Sequence, residues 1–127
     1  MTKEAYDAGM KVRREVLSPE HVERSTRNAD SFTREFQEFI TSYCWGEVWT
    51  RDGLDRKSRS LINLAMLTAL NRPDEFKLHV KGAIRNGVTP DEIKEVLIQT
   101  SIYAGVPAAH SAFKWAREVL LELGVEL

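Results

Sequence analysis

Helix punctuation recurs along this chain and strand punctuation is almost absent, which restricts the folds open to it. Ser18-Pro19 reads as a helix start: the hydroxyl can accept a backbone N–H, and the proline lacks the donor that would go unpaired there. Ser31 is read as the cap of a second segment, in which Phe32, Phe36, Phe39, Ile40 and Tyr43 recur at helical spacing. That segment runs into Trp45-Gly46-Glu47-Val48-Trp49 and breaks at Arg51-Asp52-Gly53. Asp55 predicts the next start, with Leu61, Leu64, Ala65 and Thr68 facing inward. Asn71-Arg72-Pro73 ends this helix and Pro73 opens another, which stops at Asn86-Gly87. Thr89-Pro90-Asp91-Glu92 is a capping box, and Ile93, Val96, Leu97, Thr100 and Ala104 form the apolar stripe behind it. Gly105-Val106-Pro107 breaks the pattern before a last helix carrying Ala109, Ala112, Phe113, Ala116, Val119, Leu120 and Leu123. No stretch alternates for long enough to predict a strand. The expectation is an all-α single domain over residues 1–127, with about six or seven helices.

At 127 residues the chain can bury roughly two-thirds of its unfolded surface in one core. Helices such as Leu61 to Leu70 and Ile102 to Ala112 are rich in alanine and short of charge on more than one side. A small domain does not hide that much apolar helix alone, so contacts with further copies of the chain are expected. The 18 basic and 19 acidic residues nearly cancel, so no basic excess points to a nucleic-acid partner. Apolar runs are only a few residues long, which excludes a membrane span, and the charged N-terminus is unlike a signal core. The single cysteine, Cys44, cannot form an internal disulfide or a CxxC redox pair. These features predict a soluble, reduced, cytoplasmic protein whose work comes from a site.

The most informative local feature is Glu75-x-x-x-His79, two side chains on one helix face and within reach of each other. His79 is also in line with Phe76, Val80 and Ala83, hence directed inward. A carboxylate beside an imidazole fixes its tautomer and favours its protonated form, as a general acid requires. Periodicity alone favours the plainer reading, a helical ion pair beside a structural histidine. His110, after the Gly105–Pro107 break, either lines a pocket or sits at the surface, and His21 reads as solvated. No HExxH or facing Glu/His set supports a metal. Trp45 and Trp49, followed by Arg51, suit either an aromatic wall with a carboxylate-binding guanidinium or ordinary packing. Arg56, Arg59, Arg72 and Arg85 are further cations for an anionic substrate, or solvated helix charges. Phosphate loops and nucleophile elbows are absent, and Cys44 reads as a small buried hydrophobe. From the residues alone, the chain is a helical oligomer with a Glu–His pair and no named substrate.

The string from Trp45-Gly-Glu-Val-Trp49-Thr-Arg51 through Asp55-Arg56 to Arg59-Ser60-Leu61 resembles the signature of γ-carboxymuconolactone decarboxylases. Glu75-x-x-x-His79, Asn86-Gly87-Val88-Thr89, Glu92-Ile93-x-Glu95-Val96-Leu97 and Ile102-Tyr103-Ala104-Gly105-Val106-Pro107 resemble it too, over nearly the whole chain. The Trp-Gly-x-x-Trp-x-Arg element is the specific part, whereas the stretch from the histidine to Gly-Val-Thr is shared by a wider superfamily. That superfamily includes alkylhydroperoxidase D proteins, which carry a CxxC pair ahead of the histidine. Here Arg72 and Glu75 occupy the cysteine positions, and Ser60 occupies that of the superfamily's glutamate. A thiol peroxidase would lack its nucleophile and its resolving thiol.

The resemblance implies an alkylhydroperoxidase D-like helical bundle. It also implies a homo-oligomer, often a hexamer built as a trimer of dimers, and the protocatechuate branch of the β-ketoadipate pathway. The implied reaction is loss of CO₂ from 4-carboxymuconolactone. The carboxylate lost stands on the ring carbon bonded to the lactone oxygen, beside a C=C conjugated with the lactone carbonyl. The electrons left behind delocalise onto that carbonyl oxygen, so the substrate is its own electron sink and no pyridoxal, thiamine or metal is required. The enzyme must hold two carboxylates, stabilise the furanolate oxygen and deliver a proton to the carbon beside the carbonyl. On this reading His79 is proton donor or oxyanion partner, and Glu75 orients and charges it. Arg51 clamps a carboxylate, with Arg72 or Arg85 as second choice. Trp45 and Trp49 form the apolar wall, and Tyr103 and His110 are outer pocket contacts. The competing readings are a related decarboxylase for another small lactone acid and a non-catalytic small-acid-binding oligomer.

Overall fold

The computed structural model describes all 127 residues and is entirely helical: seven α-helices, one π-helical segment and no strand. The chain divides into two compact units, Met1–Asp55 and Arg56–Leu127. No helix is long and apolar enough to cross a membrane.

In the first unit, α1 (Lys3–Leu17) is capped by Thr2, whose side chain accepts the Ala5 N–H at 3.0 Å. Ser18 ends α1 with a positive φ of 87° and caps α2 (Pro19–Arg27) by accepting the His21 N–H at 3.2 Å. The expected Ser31 cap is replaced by Asp30, whose Oδ1 accepts the N–H groups of Phe32 and Thr33, both at 3.0 Å. The next helix, α3 (Arg34–Ile40), passes without a break into a π-helix over Thr41–Val48. There the bonding interval widens, with the Trp49 N–H donating to the carbonyl of Cys44, five residues back, at 2.9 Å.

This π-helix packs on α1 backbone to backbone. A Cβ placed on Gly9 would overlap the Thr41 carbonyl oxygen, and one on Gly46 the Ala5 carbonyl oxygen. The buried Arg13 side chain reaches across the same seam. Its Nη1 donates to Thr41 Oγ1 and its Nη2 to Gln37 Oε1, each at 3.1 Å. Burial pushes the Arg13 pKa down and the Cys44 thiol up, the latter opposed by a smaller pull from Arg13. A half-buried thiol held in its neutral form is a poor nucleophile. The aromatic stripe of Phe32, Phe36, Phe39 and Tyr43 has helical spacing, but it is exposed on the chain as it stands.

The second unit is a four-helix arrangement of α4 (Arg56–Ala69), α5 (Pro73–Arg85), α6 (Pro90–Tyr103) and α7 (Val106–Glu122). Within it, α4 packs on α5 and α6, while α7 packs on α5 and α6. Their inward stripes meet in one core of Leu64, Phe76, Val80, Ala83, Val88, Ile93, Leu97, Ala112, Ala116, Val119 and Leu120. The predicted stop at Asn86-Gly87 is present. Gly87 adopts a φ of 89°, which lets the Val88 N–H fold back onto the Ala83 carbonyl at 2.9 Å.

The capping box forms as predicted: Thr89 Oγ1 accepts the Glu92 N–H at 3.1 Å, and Glu92 Oε1 accepts the Thr89 N–H at 2.9 Å. Thr89→Ala is therefore expected to destabilise the protein by about 1 kcal/mol in urea denaturation. Lys57, 2.9 Å away, and then the Thr89 N–H hold the Glu92 carboxyl below the usual carboxylate range. The folded carboxyl thus titrates lower than the unfolded one. Its contribution is complete above the ordinary carboxylate range and fades as pH falls through the folded value, a slope that Glu92→Gln should remove.

Candidate active site

The second unit contains a polar seam inside an otherwise apolar contact. On α4, Ser60 and Asn63 lie one turn apart, beside the buried Leu64. On α5, His79 is half-buried between the buried Phe76 and Val80, and Asn86 follows at the helix end. Asn86 Nδ2 donates to Ser60 Oγ at 2.9 Å, and Asn63 Nδ2 stands 3.4 Å from His79 Nδ1. Ser60 is fully buried, so its bond to Asn86 satisfies a hydroxyl that has no access to water. The two polar pairs and the surrounding apolar contacts fix α4 and α5 in one register.

The nine residues singled out from the sequence fall on several elements. His79 is in the α4–α5 seam. Glu75, one turn earlier on α5, is exposed in the first turn of that helix. The residue at His79 Nδ1 is Asn63 on the neighbouring helix, not Glu75. Arg72 is the N-cap residue of α5, where its carbonyl accepts the Phe76 N–H at 2.8 Å. Seven residues before His79, it lies on nearly the same side of the helix, about 10 Å along the axis. Arg85, six residues after His79, is turned about a third of the way around the helix from it. Tyr103 is 86% exposed at the end of α6. His110 is exposed in the first turns of α7, on a groove of about 690 Å³ shared with Phe113, Lys114 and Arg117.

Trp45, Trp49 and Arg51 belong to the first unit. The two indoles stack with ring centroids 4.9 Å apart and planes at 28°, and both are nearly fully buried. Arg51 is exposed in the turn that leaves the π-helix, its N–H donating to the Val48 carbonyl at 3.0 Å. Sequence reasoning missed Asn63 and the pairing of Ser60 with Asn86. The available signal was two polar residues, Ser60 and Asn63, on the inner face of an apolar helix, where each needs a partner.

Comparison with known proteins places this sequence among relatives. Residues 34–118 match the family model described as "Carboxymuconolactone decarboxylase family". A 4-carboxymuconolactone decarboxylase of Acinetobacter baylyi is 46% identical over 123 residues, covering 97% of this chain and 92% of that protein. Nitrosuccinic acid decarboxylase npaB of Metarhizium robertsii is 48% identical over 107 residues, covering 84% of this chain and 75% of that protein. A 4-carboxymuconolactone decarboxylase sequence of Pseudomonas putida is 49% identical over 45 residues, covering 35% of this chain and 94% of that sequence. The family match includes both the Trp45–Arg51 element and the Glu75–His79 helix. With 46% identity over 97% of this chain to a 4-carboxymuconolactone decarboxylase, it shows that the chain belongs to the carboxymuconolactone decarboxylase family.

Proposed function

We propose that this protein is a carboxy-lyase that converts 4-carboxymuconolactone to 3-oxoadipate enol-lactone and CO₂ without a cofactor. The observation that carries this reading is the 46% identity to the Acinetobacter baylyi enzyme over 97% of the chain. The reading of residues 1–127 as one carboxymuconolactone decarboxylase-like domain is supported by matched residues that begin in the first unit and end in the second.

The chemistry asks little of the protein beyond placement and electrostatics. The C–C bond to the departing carboxylate breaks, and its electron pair moves through the ring C=C to the lactone carbonyl oxygen. A hydrogen-bond donor at that oxygen lowers the barrier because the charge there is larger in the transition state than in the substrate. His79, held in a partly buried seam, is the group proposed for that oxygen. Glu75 adds negative charge one turn away on the same helix. Arg51, Arg72 and Arg85 are the guanidinium groups proposed for substrate carboxylates, with Tyr103 and His110 as outer contacts. The exposed Phe32, Phe36, Phe39 and Tyr43 and the uncharged outer faces of α4 and α6 support self-association. A hexamer is the assembly proposed, in the cytoplasm of a microbe that degrades aromatic acids through the protocatechuate branch.

A second reading keeps the reaction and changes the acid, and the 48% identity to nitrosuccinic acid decarboxylase npaB favours it. Nitrosuccinic acid also carries two carboxylates and an internal electron sink, since its nitro group can take up the electrons that CO₂ leaves behind. Ultraviolet assays of both acids, with no metal or cofactor added, separate the readings. The lactone is generated in situ from protocatechuate by the two preceding enzymes. Equal amounts of CO₂ and enol-lactone from the lactone establish the first reading. Turnover of nitrosuccinic acid alone replaces it with the second, and turnover of neither removes both.

A further inference from the structure

We propose that Asn63 is a positioning residue that holds neutral His79 as the tautomer protonated on Nε2, making the histidine a hydrogen-bond donor to the substrate rather than its proton source. The inference rests on the reading above in one respect, that His79 acts on the substrate. The seam between α4 and α5 supplies the geometry from which the tautomer is inferred.

The amide group of asparagine has two unlike ends, and here the NH₂ end is the one facing the ring. Asn63 Nδ2 lies 3.4 Å from His79 Nδ1. An NH₂ group has only protons to offer, so Nδ1 must present its lone pair. The single proton of a neutral imidazole then resides on Nε2. Asn63 is half-buried. It sits on α4 between Ser60 and Leu64, both fully buried, and the Ser60–Asn86 bond of 2.9 Å pins the same pair of elements. The partly buried setting strengthens the preference, because a wrong tautomer would set two N–H groups against each other away from bulk water.

The consequence is a division of labour. As CO₂ departs, the electron pair of the broken C–C bond reaches the lactone carbonyl oxygen. His79 Nε2–H donates a hydrogen bond to that oxygen and keeps its proton. The carbon beside the carbonyl takes its proton from water, which leaves as hydroxide to the solvent, so atoms and charge balance without an ionised histidine. A neutral imidazole used as an electrophile needs its other nitrogen occupied by a donor, and Asn63 supplies one.

The test is long-range ¹⁵N NMR of the full-length labelled protein without substrate, with the signals of the three histidines separated by a His79→Gln variant. The expected wild-type spectrum has a pyridine-type Nδ1 and a pyrrole-type Nε2 at His79. Asn63→Ala should mix the tautomers. Asn63→Asp, nearly isosteric and therefore able to fold, should move the proton to Nδ1. In turnover, Asn63→Ala should lower kcat about five- to tenfold with KM unchanged, the effect of one lost positioning hydrogen bond. A wild-type Nδ1–H signal, or the same tautomer in Asn63→Ala as in wild type, overturns the proposal. The spectra need no substrate, so they fail or hold independently of the decarboxylase reading; full activity of His79→Ala would remove the action of His79 on the substrate and leave that reading in place.

Discussion

Gly46→Ala is expected to unfold the first unit, with a loss of about 3 kcal/mol or more in urea denaturation. The reason is a close approach that no rotamer can relieve. The added methyl would overlap the carbonyl oxygen of Ala5, with the Ala5 carbonyl carbon only 2.9 Å away and its Cα 3.3 Å away. All three are backbone atoms of α1, so relief requires the whole helix to move. The same seam holds Gly9 against the Thr41 carbonyl and the buried Arg13 against Thr41 and Gln37, so a shift would also break those bonds. Gly53→Ala is the control: nothing lies within 4 Å of a Cβ there, and the expected change is within about 0.5 kcal/mol. Equal stability of the two variants would show that α1 and the π-helix separate without penalty. The result bears on the family signature, because it gives the glycine of Trp45-Gly46-Glu47-Val48-Trp49 a packing reason independent of catalysis.

Local chemistry was legible in the sequence wherever a cap or a stop depends on neighbouring residues alone. Ser18 before Pro19, Thr89 with Glu92, and Asn86 with Gly87 all act within one turn of chain, and all three form as read. The π-helix left no such mark. A change from four- to five-residue bonding inside a continuous helix alters no residue type, and it becomes visible only where α1 lies against Gly46. The stripe from Phe32 to Tyr43 shows the other limit: periodicity reports that a face exists, not whether this chain covers it. The site divides along the same line. His79 is inward-facing by its spacing with Phe76 and Val80, and the structure agrees. Its partner is a matter of which helix packs against α5, so the Glu75 that sequence proximity suggested stands exposed while Asn63 reaches the ring. Trp45 and Trp49 were readable as a pair, but their stacking and near-complete burial became visible only in the structure.

His79→Ala is expected to lower kcat for the lactone by ~10²–10³ while leaving KM nearly unchanged, the signature of a donor aimed at charge that develops only in the transition state. Stability should fall much less, since the truncation removes one half-buried ring and its contact to Asn63 and leaves the surrounding core of Phe76, Val80 and Leu64 in place. The more telling variant is His79→Gln. A glutamine side chain can still offer an N–H but, as a neutral amide, does not ionise or act as a proton donor to carbon. If His79 works as a neutral donor, His79→Gln retains a substantial part of the activity that His79→Ala loses. If His79 is instead the acid that protonates carbon, glutamine is as inactive as alanine, because a hydrogen bond without a transferable proton leaves the furanolate unquenched. The comparison of the two variants thus decides between the two roles open to this histidine. Agreement with the tautomer in the resting protein would tie the choice to the packing of α4 on α5, where an amide from the neighbouring helix determines which ring nitrogen carries the proton.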